Sequence, residues 1–184
     1  RVSRRFGTCR PMILPRATDQ LLLPVNPAFV LLSMILAFAF NLLPWGRIPG
    51  MPDMLALVLV FWAVYQPRKV GVGLGFVLGL LMDVHEGSRL GQHALAYALM
   101  SYGAIAMHRR LQWFGPLAQA LQVLPLFMLG KIVAVVARMA TGGMFPGWTI
   151  MMGPVLESLL WPAAVLLLLA PQRRAPNPDD TRAL

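Results

Sequence analysis

Residues 62–97 read WAVYQPRKVGVGLGFVLGLLMDVHEGSRLGQHALAY, and they decide the fold. Two apolar blocks flank a basic turn at Arg68 and Lys69. Gly71, Gly75 and Gly79 recur at helical spacing, and Asp83 stands where the second block stops. A re-entrant hairpin would bury the basic turn in the bilayer, where each charge costs at least about 2.5–3.5 kcal/mol. Two short spans joined by a tight turn avoid that cost, because the long side chains snorkel to the interface.

The rest of the chain agrees. Of its 184 residues 58% are hydrophobic and 12% are charged, about half the charge of an ordinary globular protein. So few charges cannot cover a soluble domain without large apolar patches. The mean hydropathy is +0.65. A net charge of +9 would suggest nucleic acid in a soluble protein. Here the basic residues fall in small clusters between apolar segments, the pattern that orients membrane helices, and no folded basic module is present to bind nucleic acid. The single cysteine, Cys9, can form neither an internal disulfide nor a metal cluster.

Six apolar segments are expected, near residues 28–43, 54–65, 70–82, 92–107, 115–140 and 150–170. Pro27, Pro52 and Pro116 lie near starts, where a missing N–H costs least. Trp45, Trp113 and Trp148 lie near ends, where indole rings favour the interface. The first segment lacks a small-residue cleavage site and reads as an uncleaved span. Arg1, Arg4, Arg5, Arg10, Arg16, Arg68, Lys69, Arg109, Arg110, Arg173, Arg174 and Arg182 fall on one side. Arg47, Arg89 and Arg138 fall on the other or near it, so both termini are expected to be cytoplasmic. The expected architecture is an all-α, polytopic membrane protein. Residues 27–171 form the six-helix domain, 1–26 a cytoplasmic N-terminal segment and 172–184 a flexible cytoplasmic tail. No function is assigned to residues 1–11, which begin with Arg; Met12 offers an alternative start.

Three groups of residues invite a functional reading. Gly71, Gly75 and Gly79 share a helix face with Asp83, and small residues at this spacing admit a second helix at close range. That second helix belongs either to a partner or to the same bundle. Asp83, His85, Glu86 and His93 resemble metal ligands in type, but they lack HExxH spacing and any paired cysteines. They read better as residues that cap helix ends, with Asp83 marking a span terminus. Lys131 and Glu157 each lie inside an apolar span at similar depth, about 10–14 Å from one end at 1.5 Å per residue. They are expected to face each other or a common polar cavity. No nucleophile–base pair, carboxylate pair or phosphate loop is present, and neither Asp83 nor Glu157 has a second catalytic group beside it, so no enzyme and no cofactor are expected.

Pro52-Asp53 followed by an apolar run to Trp62, then Tyr65-Gln66-Pro67-Arg68, Gly79-Leu80-Leu81-Met82-Asp83 and Leu90-Gly91-Gln92-His93 through Tyr97 resemble the bacterial rod shape-determining MreD family. Leu160-Trp161-Pro162 and residues 170–174 extend the resemblance over most of residues 21–174. The resemblance implies a non-enzymatic inner-membrane component of the cell-elongation machinery (the elongasome), supporting rod shape and peptidoglycan synthesis. Its implied partner is MreC, through that protein's single membrane helix, with RodA, a class B penicillin-binding protein and MreB in the wider assembly. It also implies a fold similar to the substrate-binding subunits of energy-coupling-factor transporters. A second reading is therefore a transporter subunit binding a vitamin-like molecule or membrane lipid. A homo-oligomer is compatible with either.

Overall fold

The computed structural model describes residues 26–43, 50–87, 90–145 and 147–172, which form helices with no strand among them. The helices are α1 (Pro27–Leu42), α2 (Met54–Tyr65), α3 (Val72–His85), α4 (Gln92–Leu111), α5 (Pro116–Ala140) and α6 (Met152–Leu169). A 3-10 turn, Trp148–Met151, leads into α6. The residues before 26, Trp45, Arg47, Arg89 and the tail arginines Arg173, Arg174 and Arg182 lie outside the described residues.

The helices run up and down. α2 packs against α1, α4 and α6; α3 and α5 flank α4; and α5 also packs on α6. One end of the bundle collects the turns carrying Arg68 and Lys69 and the end of α4 with Arg109 and Arg110. The opposite end collects the starts of α2, α4 and α6, with Asp53, His93 and Glu157. The first is the basic end of the bundle and the second its acidic end.

α2 is the centre of the molecule, and nine of its twelve residues are buried. Its sequence, MLALVLVFWAVY, is apolar all round and so has no water-facing side. Trp62 is fully buried, with edge contacts to Phe29 at 6.0 Å and Phe61 at 5.1 Å. Its indole N–H donates to Ser33 Oγ at 2.8 Å. Phe61 stacks on Tyr65 at 4.6 Å and tilts against Trp161 at 6.1 Å. Such pairs add about 0.5–1.5 kcal/mol each beyond burial. Toward the basic end Gln119 of α5 acts as a hub. Its carbonyl accepts from Trp161 Nε1 at 3.1 Å and Tyr65 Oη at 3.3 Å, and its amide donates to Phe114 O at 2.9 Å.

The outer faces are apolar. α1 exposes Leu31, Leu32, Ile35 and Leu36, α5 exposes Leu121, Ile132 and Val136, and α6 exposes Leu159, Leu166 and Leu167. A protein surrounded by water seldom presents so extensive an apolar surface. Residues 116–140 and 148–169 are long and apolar enough to cross a bilayer, and α1, α2 and α3 are shorter apolar helices. Trp113 and Trp148 are 89% and 81% exposed at opposite ends of the bundle, as interface anchors would be.

The largest departures from the expected boundaries are at two helix ends. α3 continues through Asp83 to His85 instead of stopping at Met82, and α4 continues through His108, Arg109 and Arg110 to Leu111. Hydropathy ends a span at its first charges. The helix ends only where its backbone hydrogen bonds do.

Candidate functional site

The acidic end is built around two carboxylates that close helix ends. The N-cap of α4 is Gly91, with φ of 107°, a left-handed conformation that glycine accepts without strain. Gly91 has no side chain with which to cap the helix, and Asp83 of α3 supplies the missing cap. Its Oδ2 accepts from the Gly91 N–H at 2.8 Å and the Ala94 N–H at 3.3 Å. Its Oδ1 accepts from the His93 N–H at 2.8 Å and lies 2.9 Å from His93 Nδ1. Asp83 is fully buried. Its negative charge sits at the positive end of the α4 dipole among the first-turn N–H groups, which compensates its desolvation. With Nδ1 donating to Asp83, His93 turns Nε2 toward Glu86, at 3.6 Å.

The glycines explain how Asp83 reaches α4. A Cβ on Gly79 would stand 2.4 Å from Ala94 Cα and 2.6 Å from Ala94 N. A Cβ on Gly75 would stand 2.4 Å from Ser101 Oγ and 3.0 Å from Tyr97 O. These two glycines let α3 lie directly on the α4 backbone, as small-residue faces do in membrane bundles. Gly71 shares their spacing but is the N-cap of α3 and faces open space.

The second carboxylate, Asp53, caps α2 by accepting from the Ala56 N–H at 3.0 Å. It also ties three other helices together. Asn41 of α1 donates to Oδ1 at 2.6 Å, the Tyr97 hydroxyl of α4 donates to Oδ2, and the Asp53 N–H donates to Glu157 Oε1 of α6 at 2.9 Å. Asn41 in turn accepts from the Met54 N–H at 3.3 Å. Sequence reasoning gave no structural role to Asn41, Asp53, Tyr97 or Gln119; Asp53 and Tyr97 entered only within the family motifs. The usable signal was a polar residue near the end of each apolar run, with Asp53 three residues before Ala56 in N-cap register.

Lys131 and Glu157 come together around Gly153. Lys131 Cε and Glu157 Oε1 lie 3.8 and 3.7 Å from where a Cβ on Gly153 would stand. Both line a void of about 20 Å³ shared with Asp53 and Tyr97, room for about one water molecule. They form no direct ion pair among the described residues. Above the void a cavity of about 210 Å³ opens at the acidic end. Of the four residues weighed as metal ligands, Asp83, Glu86 and His93 converge, while His85 ends α3 exposed. Both Asp83 oxygens are committed to N–H donors, and among the described residues no three His, Cys, Asp or Glu side chains are arranged to hold a metal.

An all-helical bundle with apolar outer faces, whose buried polar groups close helix ends and join helices, has the architecture of a helical membrane protein. Comparison with known proteins is specific. Residues 22–170, which include all six helices, match the family described as rod shape-determining protein MreD. The chain is 31% identical over 147 residues to the rod shape-determining protein MreD of Haemophilus influenzae, covering 76% of this chain and 88% of that protein. The chain thus belongs to the MreD family, a membrane-associated family of shape-determining proteins. No solved structure matches it.

Proposed function

We propose that this protein is a multi-pass, non-enzymatic component of the bacterial cell-elongation machinery, with six helices in the inner membrane and both termini in the cytoplasm. It serves rod shape and peptidoglycan synthesis by binding an MreC-type partner through that partner's membrane helix, with RodA, a class B penicillin-binding protein and MreB further out. The observation that carries this reading is the family match across the whole six-helix unit. Two features support it. Arg68, Lys69, Arg109 and Arg110 gather at one end, as cytoplasmic loops require. The strongest polar groups of the interior, Asp53, Asp83, Tyr97 and Gln119, are engaged in holding helices together. Gly75 and Gly79 are filled by α4 of the same chain, so partner contact falls to other surfaces.

The test is co-purification in detergent with a tagged MreC, together with complementation of a rod-shaped bacterium depleted of its own family member. Retention of the partner and restored rods are expected. Loss of both with the protein present in the membrane overturns the reading.

The cavity at the acidic end favours a second reading, a ligand-binding transporter subunit with a fold like that of the energy-coupling-factor family. Its volume of about 210 Å³ falls below the roughly 300–1,000 Å³ usual for small-molecule sites. That argues against vitamin-sized cargo.

A further inference from the structure

We propose that the cavity at the acidic end binds a zwitterionic ammonium–phosphate head group, supplied by a membrane phospholipid. The cavity carries charges of both signs that are not joined in direct ion pairs, although Glu157, in the small void below, lies near Lys131. Lys131 and Arg138 project from α5, seven residues and thus two turns apart on one face. Glu86, at the end of α3, lies across α4 from them. Among the described residues neither cation is in an ion pair, and Glu86 pairs with His93 alone, at 3.6 Å. The other carboxylate on the wall, Asp53, has both oxygens occupied by Asn41, the Ala56 N–H and the Tyr97 hydroxyl.

The charge balance selects the ligand. Two cations face the carboxylates of Asp53 and Glu86, with Glu157 close behind Lys131, so a bare anion gains little from the cavity as a whole. A ligand bearing both signs meets each unpaired group with its complement, phosphate toward Lys131 and Arg138 and ammonium toward Glu86. The size selects the part that enters. About 210 Å³ admits a head group and not a whole lipid. The apolar rim selects the source. Phe40 belongs to the wall and is partly exposed, next to the exposed Leu36 on α1, which leaves an apolar path for acyl chains away from the cavity.

The test uses the intact purified protein in detergent and native mass spectrometry with phosphatidylethanolamine, phosphatidylglycerol and phosphatidylcholine of matched chains. Phosphatidylethanolamine is expected to be retained about tenfold better than phosphatidylglycerol, the worth of one charge-assisted hydrogen bond. Phosphatidylcholine, whose ammonium has no N–H, is expected between them. Glu86→Gln is expected to abolish the preference and Arg138→Gln to weaken every phospholipid. Arg109→Gln, at the basic end, is expected to change nothing. Glu86 and Arg138 are both exposed, so these variants should fold, which thermal unfolding checks. Equal retention of the two lipids by the wild type, or an unchanged preference in Glu86→Gln, overturns the proposal. Soluble phosphoethanolamine separates the sources: displacement of bound lipid at equal concentration upholds the head-group chemistry and overturns the lipid, and failure to displace it supports the lipid.

Discussion

Adding one methyl group at Gly79 tests the α3–α4 joint directly. In Gly79→Ala the new Cβ would stand 2.4 Å from Ala94 Cα, 2.6 Å from Ala94 N and 2.6 Å from His93 C. All three are backbone atoms, so no side chain can rotate away. Ordinary contact begins near 3.4 Å, so α4 has to retreat by about 1 Å. Asp83 lies one turn along the same face and holds its cap at 2.8, 2.8 and 3.3 Å. That retreat stretches all three bonds past useful length. Overpacking costs about 1–3 kcal/mol, and a buried, charge-assisted cap lost with it about 1.5–3 kcal/mol. Better helix propensity returns about 1 kcal/mol. The net expectation is a loss of about 1.5–5 kcal/mol. Gly73→Ala is the control, since a Cβ there meets nothing within 4 Å; it should be neutral or gain up to about 1 kcal/mol. Equilibrium unfolding in mixed micelles, followed by tryptophan fluorescence and circular dichroism, measures both. Equal stability of the two variants refutes the close-packed joint and the coupling to Asp83.

Three further outcomes follow from the same geometry. Asp83→Ala leaves the first turn of α4 without its acceptor and should cost about 2–5 kcal/mol in the same assay; a loss under about 0.5 kcal/mol would show that α4 is capped otherwise. Tyr97→Phe should cost about 1–3 kcal/mol, and in a double-mutant cycle with Asp53→Asn the two losses should be non-additive, because the groups share one hydrogen bond; strict additivity would dissolve the pair. For sidedness, a Cys9→Ser background carrying Lys69→Cys should react with an impermeant maleimide only in inverted vesicles, whereas one carrying Gly142→Cys should react in spheroplasts; the opposite pattern would invert the proposed orientation.

The helices were legible because three independent signals coincide at their ends. Apolar runs stop, Pro27 and Pro116 stand at first helical positions, and Arg or Lys clusters mark one set of turns. The closeness of α3 to another helix was legible from Gly75 and Gly79, because four-residue spacing fixes a face. It does not say whose helix fills the face, and that is why Gly71 could not be told apart from its companions. The convergence of Lys131 and Glu157 could be anticipated from depth alone. The Asn41–Asp53–Tyr97–Glu157 network could not. Its hydrogen bond from Asp53 to Glu157 joins residues 104 positions apart, and no local periodicity carries such a pairing. Asn41 and Asp53 look, in their own segments, like ordinary polar ends to apolar runs.

The central position of α2 has a consequence for biogenesis. Twelve residues make a helix about 18 Å long, well short of the roughly 30 Å hydrocarbon core. In a bilayer this mismatch is tolerable only while neighbours screen the polar ends of α2. Two of its three neighbours, α4 and α6, are synthesised after it. Under the proposed six-span topology, insertion therefore cannot proceed as a series of independently stable helices. A nascent chain that ends after α3 holds an orphan α2, suited to retention by the insertion machinery or to proteolysis. Reporter fusions made at that point would record the fate of the orphan, and only fusions placed beyond α6 would report on the assembled protein.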